Sequence, residues 1–286
     1  MIQSSQLSVL GYPYVSVEAL SGGRGQLRAA AGAPGSALIW RMHPQGALQV
    51  VELIERRPGG LALIVVLPAA SDIRNDPRLV QAVQRCRPHG ILPGVQTSPE
   101  DLAQVLRSPP SDLAADVADY LTWRGILHDR DTRHLVRSVI DASGEVKSIA
   151  SLSRRLYISR RALGRRLMTK GLPVPSHWLQ IGRILRVAIQ LQNSGASVFA
   201  IASEAGYPDG FSLSNQMQRL IGVRPSFVRE YLGWEWLLES WLRHEAEGGG
   251  LAPTSAHDLG VSKGKHAGTP PSKAPPLCPS RSPREA

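Results

Sequence analysis

Between Ser159 and Gly171 the chain places Arg160, Arg161, Arg165, Arg166 and Lys170, with no acidic residue among them. A guanidinium can bond a guanine edge bidentately, worth about 1–3 kcal/mol of base discrimination. Any exposed cation can meet phosphate, which orients a protein without reading sequence. Leu163 and Leu167 share one helical face. That leaves Arg160, Arg161, Gly164, Arg165 and Arg166 to the outer faces, with Arg161 and Arg165 one turn apart. Ser159 is a good N-cap residue. Upstream, residues 148–156 read as a short helix, with Ile149, Leu152, Leu156 and Ile158 supplying apolar groups beneath it. The spacing predicts a helix-turn-helix whose second helix suits the major groove of DNA.

A second pattern of the same kind runs from Ser197 to Pro225. Ala202 is placed where two helices cross, and Gly206 can take the positive-φ turn between them. Ile201, Leu213, Met217 and Ile221 form its small core. Its second helix presents Gly210, Phe211, Ser212, Ser214, Asn215 and Gln216, with no cation until Arg219. Asn pairs bidentately with adenine, and an aromatic edge can touch thymine methyls. Phe211 is equally open to a core role. Between the motifs, Pro175 to Asn193 reads as one helix, apolar on more than one side through Trp178, Ile181, Leu185, Ala188 and Ile189. A helix flanked by two subdomains has that pattern.

Residues 131–235 resemble the DNA-binding domain of the AraC/XylS family of bacterial transcription regulators. The resemblance rests on Ser197-x-x-x-Ile-Ala202, Gly206-Tyr207, the closing Gly222-Val-Arg-Pro225-Ser-Phe-Val-Arg, and the connecting helix at the family's spacing. It implies base-facing positions at Arg161, Gly164 and Arg165 in the first motif, and at Phe211, Ser212 and Asn215 in the second. Ser159, Arg160, Arg166, Lys170, Arg183, Gln216 and Arg219 complete the expected DNA-binding set, with Arg160, Arg166, Lys170 and Arg183 suited to phosphates. Two residues depart from the family pattern. Tyr157 stands where the first turn usually has Gly, and Ser153 where the crossing usually has Ala. A non-Gly residue at positive φ is costly, so a differently shaped turn is expected. The loop Gly171–Pro175 is one residue longer than the common pattern.

Charge supports the same partner. The formal net charge is +10, of which +8 falls in residues 131–235 and +1 on either side. Localised positive charge implies a polyanion. The 286 residues, 42% hydrophobic, suffice for two domains. Two cysteines, Cys86 and Cys278, exclude a disulfide framework and fit a reducing cytoplasm. The N-terminus has no signal-peptide pattern, and the longest apolar run is too short to span a bilayer.

The first half alternates strand and helix. Val15–Leu20, Ser36–Met42, Leu61–Leu67 and Gly90–Leu92 read as strands, and Gly46–Arg57, Asp76–Arg87 and Pro99–Arg107 as helices. Gly22–Gly25 reads as a turn or loop. This predicts a small α/β domain with a mostly parallel sheet. The rhythm resembles, at best, a degenerate phospho-receiver domain. The strand Leu61–Leu67 ends in Pro-Ala-Ala rather than Asp, and Asp72 and Asp76 follow in a loop where acids usually cap helices. Cys86 and His89 offer two metal ligands without a second pair, so neither a metal nor another cofactor is expected.

The expected organisation is residues 1–110 as an α/β input or dimerisation domain, 111–130 as a linker helix, 131–246 as the all-α DNA-binding domain with a helical extension, and 247–286 as a disordered tail. The expected partners are double-stranded DNA, RNA polymerase and, through the first domain, a second copy of the chain. No membrane partner and no catalysis are expected. Two alternatives stand beside this reading. One is a DNA-targeted enzyme such as an alkyl-transfer repair protein, which would need a reactive cysteine. The other is a signalling adaptor that has lost DNA binding.

Overall fold

A computed structural model describes residues 6–20, 23–43, 47–68, 77–94 and 97–252. Asp72, Asp76, Cys278 and the tail from residue 253, for which a loop and disorder are expected, lie outside the described residues.

The first half builds a five-stranded sheet in the order β2-β1-β3-β4-β5. The strands are β1 (Gln6–Leu10), β2 (Val17–Ala19), β3 (Ala37–Arg41), β4 (Ala62–Val66) and β5 (Gly90–Leu92). β3, β4 and β5 pair in parallel, while β1 pairs antiparallel with both β2 and β3. Four of the five strands therefore run one way. The alternation of side chains gives the sheet two apolar faces. Leu38, Trp40, Leu63 and Val65 pack on α1 (Arg24–Gly32), α2 (Ala47–Glu55) and α3 (Pro77–Cys86). Ala37, Ile39, Ala62, Ile64 and Val66 pack on α4 (Pro99–Arg107), and on Leu232 from the far end of the chain. α4 follows its local code closely. Ser98 and Asp101 form a reciprocal capping box, and Pro99 opens the first turn. Two elements differ from expectation. β1 is a strand where none is expected, and α1 begins at Arg24, inside the segment read as a loop.

The second half is helical. It comprises α5 (Leu113–Trp123), α6 (Arg130–Ala142), α7 (Ile149–Arg155), α8 (Arg160–Met168), α9 (Pro175–Asn193), α10 (Val198–Glu204), α11 (Gly210–Ile221), α12 (Pro225–Glu230) and α13 (Glu235–Glu247). α5 lies in the stretch expected to link two domains. Its Leu113, Val117, Tyr120 and Leu121 are buried in the same apolar cluster as Trp178, Leu213 and Trp241.

The two halves meet through buried polar groups. The Glu239 carboxylate accepts from Tyr120 Oη at 2.7 Å and from Arg124 Nε at 2.6 Å. Tyr120 in turn accepts from the backbone N–H of Gly60, just before β4, at 2.7 Å. One turn earlier on α13, Glu235 meets His89 Nδ1 at 2.7 Å and Arg87 at 3.7 Å. Burial alone would raise the Glu235 carboxyl, but His89 and Arg87 outweigh it and hold it well below the usual carboxylate range. Arg57 is buried and donates to the carbonyls of Ile54, Leu61, Cys86 and Arg87, with its guanidinium 4.2 Å from the centre of the Trp123 ring. Buried charges of this kind persist only when paired and hydrogen-bonded.

Candidate nucleic-acid interface

The two motifs are built to one plan. Ser148 caps α7 by accepting from Ser151 N, and Ser197 caps α10 by accepting from Ala200 N. At the first turn Tyr157 N–H donates to Arg154 O and Ile158 N–H to Ser153 O. At the second, Gly206 N–H donates to Ser203 O and Tyr207 N–H to Ala202 O. The turns are thus the same turn, with φ of 53° at Tyr157 and 76° at Gly206. The differently shaped first turn expected from Tyr157 does not occur. Two carbonyl partners and the packing of Leu152 and Leu163 fix the turn, so Tyr157 takes the left-handed conformation at a cost in strain. Its side chain is 97% exposed. Ser153 occupies the buried crossing, and its Oγ has no partner among the described residues. Both departures should therefore weaken the fold. Tyr157→Gly and Ser153→Ala are each expected to raise the unfolding free energy by about 0.5–1 kcal/mol. Denaturant midpoints measure this, and an unchanged or lowered midpoint for both would contradict the assignment of strain.

Ser159 caps α8 by accepting from Ala162 N at 3.2 Å. Leu163 and Leu167 are fully buried and anchor the helix. Arg160, Arg161, Arg165 and Arg166 are all exposed, and none has a side-chain hydrogen bond or ion pair among the described residues. Elsewhere in the same half, Arg133, Arg137 and Arg155 do pair with Asp119, Asp112 and Glu145. A Cβ at Gly164 would meet nothing within 4 Å, so the outer face between Arg161 and Arg165 is open to close approach. Lys170 stands differently. Its ammonium pairs with Asp129, the N-cap of α6, at 3.1 Å.

α11 is capped by Asp209, which accepts from Ser212 N at 2.6 Å. Leu213 and Met217 are buried, while Phe211 is 75% exposed, on the outer face rather than in the core. Asn215 is exposed and Ser212 half-buried. Gln216 donates to Gln180 of α9 at 3.0 Å and accepts from Arg219 at 2.9 Å, so this pair is engaged within the fold. Arg183 is also engaged. It donates to Ala205 O at 2.9 Å and lies 4.7 Å from the centre of the Tyr207 ring, bracing the second turn against α9.

α9 holds the motifs apart. It has 19 residues, roughly 28 Å at 1.5 Å per residue. α13 braces the assembly from behind. Trp241 meets Trp178 edge-on at 4.8 Å, Ser240 Oγ donates to Ile221 O at 3.2 Å, and Glu245 meets His177 at 3.0 Å. Beyond it, Ala252 N–H donates to Gly171 O at 2.8 Å, in the long loop after α8. Trp234 and Trp236, at the start of α13, are buried along with Trp241. The carboxylates by which α13 reaches the sheet domain were not legible, because their partners lie over a hundred residues away.

Residues 152–231 match the family model described as a helix-turn-helix domain. They form an AraC-type helix-turn-helix domain. Domains of this kind belong to DNA-binding transcription regulators. No curated protein and no solved structure shows significant similarity to the chain. Around the AraC-type domain, no helix among the described residues is long and apolar enough to cross a membrane. Cys86, whose thiol a repair enzyme would need, is buried and pushed up to about 11, chiefly by desolvation. A thiol so raised is a poor nucleophile at neutral pH.

Proposed function

We propose that the chain is a sequence-specific transcription regulator, without enzymatic activity, whose AraC-type domain reads two adjacent major-groove segments, one with α8 and one with α11. The observation that carries this is the row of four exposed arginines, without side-chain partners among the described residues, on a helix anchored by two buried leucines. In this reading Arg161 and Arg165 meet base edges across the open face at Gly164, and Arg160 and Arg166 meet phosphates. Ser159 presents the helix end. Phe211, Ser212 and Asn215 read the second segment. Lys170, Arg183, Gln216 and Arg219 act at the margins, since each already has a partner in the fold. Residues 1–110 serve as the input or dimerisation unit, residues 131–246 read DNA, RNA polymerase is the downstream partner, and the cytoplasm is the place of action.

Selection from a randomised duplex pool with the full chain tests the proposal. The enriched sites are expected to be non-palindromic. One half should be G-rich, matching the arginine helix, and the other A/T-rich, matching Asn215 and Phe211. A pool that remains random, with equal affinity for every duplex, would overturn sequence-specific reading.

A further inference from the structure

The chain has three phenylalanines. Phe227 stacks on Tyr231 with ring centres 4.0 Å apart. The other two, Phe199 and Phe211, are 65% and 75% exposed, and both belong to the second motif. Phe211 is the second residue of α11 and Phe199 the second of α10. The two helices touch here. A Cβ at Gly210, the residue before Phe211, would lie 3.6 Å from the backbone N and Cα of Phe199 and 3.5 Å from Val198. The two exposed residues therefore start neighbouring turns of the same motif, in the helix pair that carries Ser212 and Asn215. A phenyl ring left in water contributes nothing to a core, and one such residue alone calls for no explanation. Two at the starts of adjoining helices, in a motif whose second helix has one cation, Arg219, where α8 has four, make that corner apolar.

We propose that Phe199 is a specificity-determining residue that contacts thymine C5-methyl groups together with Phe211, so that the second motif reads its half-site by apolar contact where the first reads by charge. This rests on the DNA-reading function proposed above and adds a residue from α10 to it. The methyl group is the apolar feature of the major groove, and it marks thymine alone. Phenyl rings gain nothing from phosphate, so the contact adds no salt dependence. The Asp209 carboxylate, which caps α11, helps keep phosphate away from this spot.

Replacing thymine by uracil removes the methyl and leaves the hydrogen-bonding edge intact. The full chain is titrated against its selected duplex and against duplexes carrying uracil at single positions of the A/T-rich half. Wild type is expected to lose about fourfold in affinity for each contacted methyl, the equivalent of one buried methyl group. Phe199→Ala should bind the thymine duplex less tightly, become indifferent to at least one of those replacements, and keep the wild-type slope of affinity against salt. Phe199→Leu should recover part of the loss. Phe199→Ala binding with wild-type affinity, or keeping the full thymine preference, would overturn the assignment while Arg161→Ala still weakens binding. A chain that selects no duplex would overturn the DNA-reading function itself.

Discussion

Replacing Glu239 by Ala is expected to lower the unfolding free energy by about 3–5 kcal/mol, the cost of removing one partner from a buried ion pair. The carboxylate is buried, and its Oε1 accepts from both Tyr120 and Arg124. Its loss removes the carboxylate to which Arg124 Nε donates. It also removes the acceptor of the Tyr120 hydroxyl, which itself receives the Gly60 N–H. The carboxylate sits tightly against the backbone, since a Cβ on neighbouring Gly59 would fall 2.1 Å from Glu239 Oε1. Glu239→Gln keeps an oxygen acceptor without the charge and should cost less. Urea unfolding followed by circular dichroism measures both. The same links tie the sheet domain to α13, so the Ala variant should also separate the unfolding of the two halves into distinguishable steps. A single transition with a loss under about 1 kcal/mol would show that the junction contributes little.

Replacing Arg161 and Arg165 together by Ala is expected to cost about 2–6 kcal/mol of affinity for the selected duplex, from two bidentate contacts at about 1–3 kcal/mol each. Folding should be unaffected, because both side chains are exposed and neither has a partner to lose among the described residues. Base preference should relax at one or two positions of the G-rich half. Arg160→Ala and Arg166→Ala should instead weaken specific and scrambled duplexes equally, and lower the slope of log affinity against log salt by about one each. Equal losses on both duplexes for the Arg161 and Arg165 variant would place these side chains on phosphate.

The helical half was legible because its local signals agree with its tertiary role. Ser159, read as an N-cap, caps α8, and Ser148 and Ser197 cap α7 and α10 in the same way. Leu163, Leu167, Leu213 and Met217 recur at helical spacing, and all four are buried. The outward placement of the α8 arginines follows from those anchors. β1 was illegible for the opposite reason. Gln6–Leu10 has only three apolar residues, and it is a strand because β2 and β3 pair with it on either side. α1 opens on Gly23-Arg-Gly25 and buries little beyond Leu27, so propensity argues against it. Arg57, Glu235 and Glu239 read as solvated charges in a sequence. Their burial depends on carbonyls, a tyrosine and cations brought from distant segments, and no local spacing records that. Tyr157 shows a limit of another kind. The residue type argues against a left-handed turn, but the two packed helices around it impose one.

Hydroxyl-radical footprinting of the full chain on its selected duplex tests the central claim most directly. α9, which joins the two motifs, spans roughly 28 Å, and successive major-groove faces lie about 34 Å apart, so the proposed two-headed reader would bridge them. Protection of two adjacent major-groove segments on one face of the duplex is expected. Inserting five base pairs between the half-sites, which turns them to opposite faces, should abolish protection of the second segment. Protection of a single groove, or undiminished protection after the insertion, would contradict a two-headed reader.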